Sequence, residues 1–282
     1  MMNITGKRIY RFNEKLAKST DVEISFVDVG SGGPLKEPWV FIPEKNIKKY
    51  SFEPTEKPVC ISNRVGEGAF YVVDDERASS LHKPASSFVD RFDFSMQIKE
   101  SLNVELKTLD SLFDKENIFV DGLDINAEGH DFQVLEGSKQ LLSSHSIKLL
   151  KIEFELTNVW DGQGWFSDID SFLRGYDYDL INFDVEYSRP KKVKDIPHRG
   201  EPLWGKAYYA PSQDIWKEIL TQDATAFNKG VMLYAAADAP GRAFDLIDLA
   251  NEFELHAGDD AARLKSEIKE IYRYAKLDKV GS

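Results

Sequence analysis

Residues 22–30, VEISFVDVG, form an apolar, β-rich run that ends in Asp-x-Gly and passes directly into Ser-Gly-Gly-Pro. A buried strand that turns through Gly30, Gly32 and Gly33 tightly limits the fold, because such a turn uses residues without a Cβ to let the backbone bend back or let a ligand approach closely. The arrangement it fits is an open α/β sheet, where ligands lie outside the carboxyl ends of the strands.

The rest of the chain keeps to that plan. KKYSFEP (48–54) reads as a second strand closed by Glu53-Pro54, since a residue before proline is pushed to extended backbone. PVCISNRVGEGAFYVVDD (58–75) reads as strand, glycine turn, strand, and further β-rich runs cover 103–112, 118–125, 147–157, 177–188 and 203–211. Between them, 129–144 carries Phe132, Leu135 and Leu142 on one helical stripe, and Ser167 to Tyr176 reads as a helix with Gly175 near its C-terminal cap. Strands alternating with helices predict a mostly parallel, two-sided sheet, with an antiparallel pair where the last two strands follow each other without a helical pattern. Residues 1–21 read as an N-terminal arm or short outer helix, and 212–282 as an α-helical appendage with a break at Pro240-Gly241.

Charge and cysteine content exclude several classes. A formal charge of -12 repels a phosphate backbone, so non-specific nucleic-acid binding is not expected. The single Cys60 forms no internal disulfide, which fits a reducing cytoplasm or indifference to redox state. There is no run of ~18 apolar residues of the kind a membrane span needs, and no apolar core of secretory type follows the N-terminus.

Two segments carry chemistry. The first is the Asp28 to Pro34 turn with Glu53, which stands about 20 residues further on, at the distance where an acid commonly meets ribose hydroxyls. Position 35 is Leu, so the pattern is not G-x-G-x-x-G, and a compact nucleoside with an amino-acid tail suits it better than a dinucleotide. Alone, a glycine turn is often only a turn; in register with Glu53 it favours nucleoside binding. The second is VDGLDINAEGHDFQVLEG, 120–137, where strand alternation puts Asp124, Asn126 and Glu128 on one face ahead of a helix. Glu128 and Asp131 also suit helix capping, by accepting free N–H groups.

Together these segments resemble the FkbM-type S-adenosylmethionine-dependent methyltransferases. The resemblance rests on Asp28-Val29-Gly30, Glu53-Pro54, Ser79-Ser80-Leu81, Thr108-Leu109-Asp110 and the run Asp124 to Gly137, in that order, across roughly 22–190. It implies a class I methyltransferase (Rossmann-like) domain over 22–211 with a mostly parallel seven-stranded sheet, S-adenosylmethionine held by Asp28, Gly30, Ser31, Gly32, Glu53 and Asn126, and O-methylation of a sugar or similar hydroxyl. Two positions depart from the family pattern: Asp124 stands for its Lys and Asn126 for its Asp. Those departures motivate the alternative of a non-catalytic module that keeps the fold and binds a glycan or protein partner, assembling through its helical tail. A nicotinamide-dependent oxidoreductase is disfavoured by the glycine spacing.

For the hydroxyl proton, the candidates are His130, at a helix start where the dipole would keep it neutral, and the carboxylates Asp124 and Glu128. A divalent cation is an alternative activator, with Asp124, Glu128 and Glu153 or Glu155 as oxygen donors, although no spacing is diagnostic of a metal. On the acceptor side, Trp160 and Trp165 follow the 147–157 strand and suit a sugar ring. The loop 189–199, with five Lys/Arg including Lys191 and Lys192 against one Asp, suits an acidic or phosphorylated glycan.

Overall fold

The computed structural model describes residues 2–30, 32–52, 59–113, 119–255 and 258–273; Ser31 and Glu53, both expected at the cofactor, lie outside the described residues. Nine strands are described: β1 (Ile24–Val29), β2 (Ile47–Phe52), β3 (Val59–Ile61), β4 (Gly66–Val73), β5 (Ile98–Lys107), β6 (Gly122–Ile125), β7 (Leu149–Glu155), β8 (Tyr178–Ser188) and β9 (Glu201–Pro211). The helices are α1 (Ile4–Thr20), α2 (Ser86–Arg91), α3 (Leu109–Phe113), α4 (Asp131–Glu136), α5 (Lys139–Ser143), α6 (Phe166–Arg174), α7 (Gln213–Gln222), α8 (Ala226–Ala236), α9 (Pro240–Glu252) and α10 (Gly258–Tyr272).

The central sheet has the order β2-β1-β6-β7-β9-β8. Its first four strands are parallel, and β9 runs antiparallel to both β7 and β8, the late antiparallel pair that the sequence predicts. Six strands, not the expected seven, form this sheet among the described residues. Val59–Ile61 instead takes its backbone partners from Glu105–Lys107 of β5, and with β4 makes a separate three-stranded sheet, β3-β5-β4.

Strand alternation sends the two sides of the central sheet into two cores. Val27, Val29, Leu123, Ile125, Ile152 and Phe154 pack with Val134, Leu142, Ile169 and Leu173 from α4, α5 and α6. On the other side Ile24, Phe26 and Tyr208 pack with Ile9, Phe12 and Leu16 of α1 and with Trp216, Phe227, Leu246 and Ile268 of α7 to α10. The described part of the stretch that reads as an appendage is thus helical, α7 to α10, and shares this core with β1 and β9. Among the described residues, no helix is long and apolar enough to cross a membrane.

The helical stripe expected over 129–144 is two helices. A Cβ on Gly137 would lie 2.1 Å from the Ser62 carbonyl oxygen, so the loop after β3 occupies the groove at the break. The carboxylate of Asp110, the acid of the Thr-Leu-Asp element, then accepts the N–H groups of Gln140 and Leu141 at 3.0 Å each and caps α5.

Candidate active site

The turn after β1 is built by glycine. Gly30, Gly32 and Gly33 have φ of 80°, 55° and 71°. A Cβ on Gly30 would stand 2.1 Å from the Asn126 carbonyl oxygen, so the turns after β1 and β6 touch backbone to backbone. Beside them opens a cleft of about 470 Å³, with Gly30, Gly32, Gly33 and Asn126 on one side and Phe52, Ile61, Phe70 and Leu81 on the other. The Asn126 side-chain oxygen is buried there with no hydrogen-bond partner among the described residues. A glycine cradle, apolar walls and an unsatisfied acceptor fit a nucleoside with an amino-acid tail.

Asp28 does not line this cleft. Lys49 Nζ sits 2.8 Å from its carboxylate and donates to the Gly33 carbonyl at 3.0 Å, fastening the turn to β2.

A second cavity of about 250 Å³ adjoins the first, walled by Phe88, Phe94, Met96, Val159, Trp160 and Trp204, with Asp75, Glu153 and Glu155 among its polar residues. Arg77 and Glu128 line both. Glu128 stands at the junction in left-handed backbone, φ 50°, followed by Gly129 at φ 83°. This is a conformation that a residue with a side chain adopts only when its surroundings hold it there. They do: Ser80 of the Ser-Ser-Leu element donates its hydroxyl to the Glu128 carbonyl at 2.6 Å. Asp131 accepts the N–H groups of Ala127 and Gly129 at 2.9 and 3.0 Å. Trp160 packs where a Cβ on Gly129 would lie 2.3 Å from its ring. The Gln163 amide in turn holds the loop of Trp160, accepting from Val159 and Trp160 and donating to the Thr157 carbonyl.

Burial dominates the electrostatics. It raises the Glu128 carboxyl well above its usual value, with Glu153, Asp131 and Asp75 adding repulsion. It raises Glu155 likewise, helped by Asp131 and Glu153, and Glu153 to about 8. His130 is pushed down to about 3 by burial and then by its neighbour His82, and is therefore neutral.

Several expected site residues lie elsewhere. His130 lines the first cleft only, and both its ring nitrogens are engaged, Nε2 at 2.9 Å from Ser62 Oγ and Nδ1 at 3.0 Å from His82 Nε2. Asp124 faces the α1 side of the sheet, where Lys151 Nζ and Trp39 Nε1 reach the same carboxylate oxygen at 2.9 and 2.7 Å, and it lines neither cavity. Trp165 is 42% exposed at the start of α6 and lines neither, unlike Trp160. Lys191 donates to the Val89 carbonyl at 2.8 Å, and Lys194 pairs with Asp93 at 3.0 Å, so the basic loop is fastened to the end of α2; Lys191 and Lys192 line neither cavity. Among the described residues, no group of three or more His, Cys, Asp or Glu is arranged to hold a metal ion.

Sequence reasoning missed Arg77, Phe94 and Trp204 altogether, and placed Glu153 and Glu155 only as metal donors. The signal for those two was the Lys-Ile-Glu-Phe-Glu alternation at the end of β7, which puts both acids on one face.

Residues 31–180 match the family model described as the methyltransferase FkbM domain. The chain is also 29% identical over 115 residues to a protein of Bacillus phage SP01 described as "Putative gene 52 protein", an alignment that covers 39% of this chain and 63% of that relative's length. No solved structure matches the chain.

Proposed function

Because the chain belongs to the FkbM methyltransferase domain family, we propose that it moves a methyl group from S-adenosylmethionine to a hydroxyl, on a sugar of a glycan or glycosylated metabolite, in the reducing cytoplasm that a lone Cys60 suits. The observation that carries this reading is the shared wall: Glu128 lines both the glycine-turn cleft and the aromatic cavity. A group held in one cavity and an acceptor held in the other would meet at its carboxylate.

In this reading Gly30, Gly32, Gly33 and Asn126 hold the cofactor, completed by Ser31 and Glu53 of the sequence motif. When bound, S-adenosylmethionine supplies a methyl on a positively charged sulfur. The chain contributes orientation and a base. Glu128, raised in pKa and fixed through Ser80, takes the hydroxyl proton as the new bond forms, a task suited to a carboxyl titrating above its usual range. Trp160 and Trp204 flank the acceptor ring, whose apolar face packs on aromatic surface, and both cavities keep the reacting groups in near-attack geometry. The non-catalytic alternative loses one of its two motives, since Asp124 lies away from both cavities.

Calorimetric titration with S-adenosylmethionine tests the reading, followed by transfer of labelled methyl to a panel of sugars. Saturable binding that Gly30→Ala abolishes supports it. An absence of binding by the native chain sinks it.

A further inference from the structure

The aromatic cavity holds more carboxyl groups than methyl transfer to a neutral hydroxyl needs. Its ionisable lining is four carboxyl groups, Asp75, Glu128, Glu153 and Glu155, against one guanidinium, Arg77, with the Ser95 hydroxyl beside them. That guanidinium is already committed, with its Nε and a terminal nitrogen 2.9 and 2.8 Å from the two oxygens of Asp75. Of the other nearby cations, Lys206 stands opposite Glu153 on β9 but directs its Nζ to Glu186 at 3.9 Å, and Lys151 is paired with Asp124 at 2.9 Å. Glu155 is 3% exposed and lines the cavity, yet among the described residues no other residue's donor is hydrogen-bonded or ion-paired to its carboxylate; only its own backbone N–H approaches.

Buried carboxylates are normally paired or hydrogen-bonded. Here burial and then repulsion from Asp131 hold Glu153 and Glu155 well above the ordinary carboxyl range, the condition that an added positive charge relieves. Half-buried aromatic surface stands beside them: Trp204 is the cross-strand partner of Glu155, and Phe94 meets Trp204 edge-on with ring centroids 5.2 Å apart. Carboxylates beside aromatic rings offer the two recognition modes of an ammonium group, charge-assisted hydrogen bonds and cation–π attraction. A divalent cation fits less well, since no metal-holding group of three ligands forms among the described residues.

We propose that the second cavity binds an acceptor bearing a protonated amine, seated against the Glu153 and Glu155 carboxylates and the Phe94–Trp204 pair beside them, so that the hydroxyl to be methylated lies next to Glu128. This rests on the methyl-transfer reading for its purpose, though not for its test. It also reverses the acidic acceptor that the basic loop suggests, because that loop is fastened to α2 through Lys191 and Lys194.

The experiment compares glucosamine, glucose and glucuronate as probes at pH 7, by calorimetry and by quenching of tryptophan fluorescence, with an S-adenosylmethionine titration on the same samples. Glucosamine should bind about tenfold or more tighter than glucose, the scale of one charge-assisted hydrogen bond, and glucuronate weakest. Glu153→Gln/Glu155→Gln should bring the glucosamine-to-glucose ratio to about one. If that double variant fails to fold, the native ratio and the single Glu155→Gln variant carry the test. Equal affinity for glucosamine and glucose, an unchanged ratio in the variant, or manganese alone binding in a manner that Glu155→Gln abolishes would each overturn the proposal. Absence of an amine preference in the native chain with S-adenosylmethionine binding intact sinks this inference alone, whereas failure to bind S-adenosylmethionine sinks the methyl-transfer reading instead.

Discussion

Asp124 and Lys151 face each other across β6 and β7, with Oδ2 2.9 Å from Nζ and both side chains closed off from solvent. The sheet register extends this row to Asp28 on β1 and Tyr208 on β9. The cation that the family motif carries at position 124 thus stands one strand over, and the acid at 124 is a buried partner. Removing one member of such a pair leaves an uncompensated charge, at a cost of about 3–5 kcal/mol. Lys151→Met should therefore lower unfolding stability by about that much in urea. The double variant Lys151→Met/Asp124→Leu should recover all but the about 1–3 kcal/mol of a Trp39 N–H left without its acceptor. A neutral Lys151→Met would show that the pair contributes nothing.

Gly30→Ala and Gly33→Ala should separate backbone strain from collision. Both positions have positive φ, but a Cβ at Gly33 meets nothing within 4 Å whereas at Gly30 it meets the Asn126 carbonyl at 2.1 Å. Gly33→Ala should cost about 1–2 kcal/mol, the strain of left-handed backbone. Gly30→Ala should cost more than that and lose S-adenosylmethionine binding by calorimetry, because the turns after β1 and β6 must move apart.

Glu128→Gln should lower kcat about 10²- to 10⁴-fold, the usual contribution of a positioned base, with S-adenosylmethionine affinity kept. Ser80→Ala removes the hydroxyl that fixes the Glu128 carbonyl, and should cost about 1 kcal/mol of stability while lowering kcat more than it weakens cofactor binding. Full turnover in Glu128→Gln would move the proton acceptor elsewhere.

Two buried groups should tilt the stability–pH curve in opposite directions. His130 is held at about 3 in the folded chain against about 6.5 unfolded, so the unfolded chain binds more protons between those values and stability falls as pH drops through them, by up to about 1.4 kcal/mol per unit. Glu153 is raised to about 8 against about 4.3 unfolded, so its contribution is present at low pH and is lost as pH rises through that window. Urea midpoints measured from pH 4 to 9 should show His130→Asn flattening the acid limb and Glu153→Gln the alkaline limb. Unchanged limbs would rule out both assignments.

The sheet's parallel core, its late antiparallel pair and α6 with its Gly175 cap were legible because each is written in local period or in a single turn residue. The departure of Val59–Ile61 to β5 was not, since a strand's own sequence does not name its partner. At the site, period-2 alternation grouped Asp124 with Asn126 and Glu128, but β6 ends at Ile125 and the left-handed Glu128 breaks the alternation. Asp124 therefore stays within the sheet while Asn126 and Glu128 stand past its end. Of Trp160 and Trp165, only Trp160, packed against Gly129, reaches a cavity. The basic loop is positive in sequence wherever it lies; what directs its lysines is the carbonyl of Val89 and the carboxylate of Asp93, which sequence does not bring near.

The contacts from Ser62 to His130 to His82 admit only one proton between each pair of atoms. If Ser62 donates to Nε2, neutral His130 must donate from Nδ1, and His82 must then carry its proton on Nδ1; if His82 donates from Nε2, every donor along the line reverses. Two rings and a hydroxyl thereby have two tautomeric orders instead of independent choices. Whatever fixes the hydrogen at Ser62 selects the protonated nitrogen on a residue two links away.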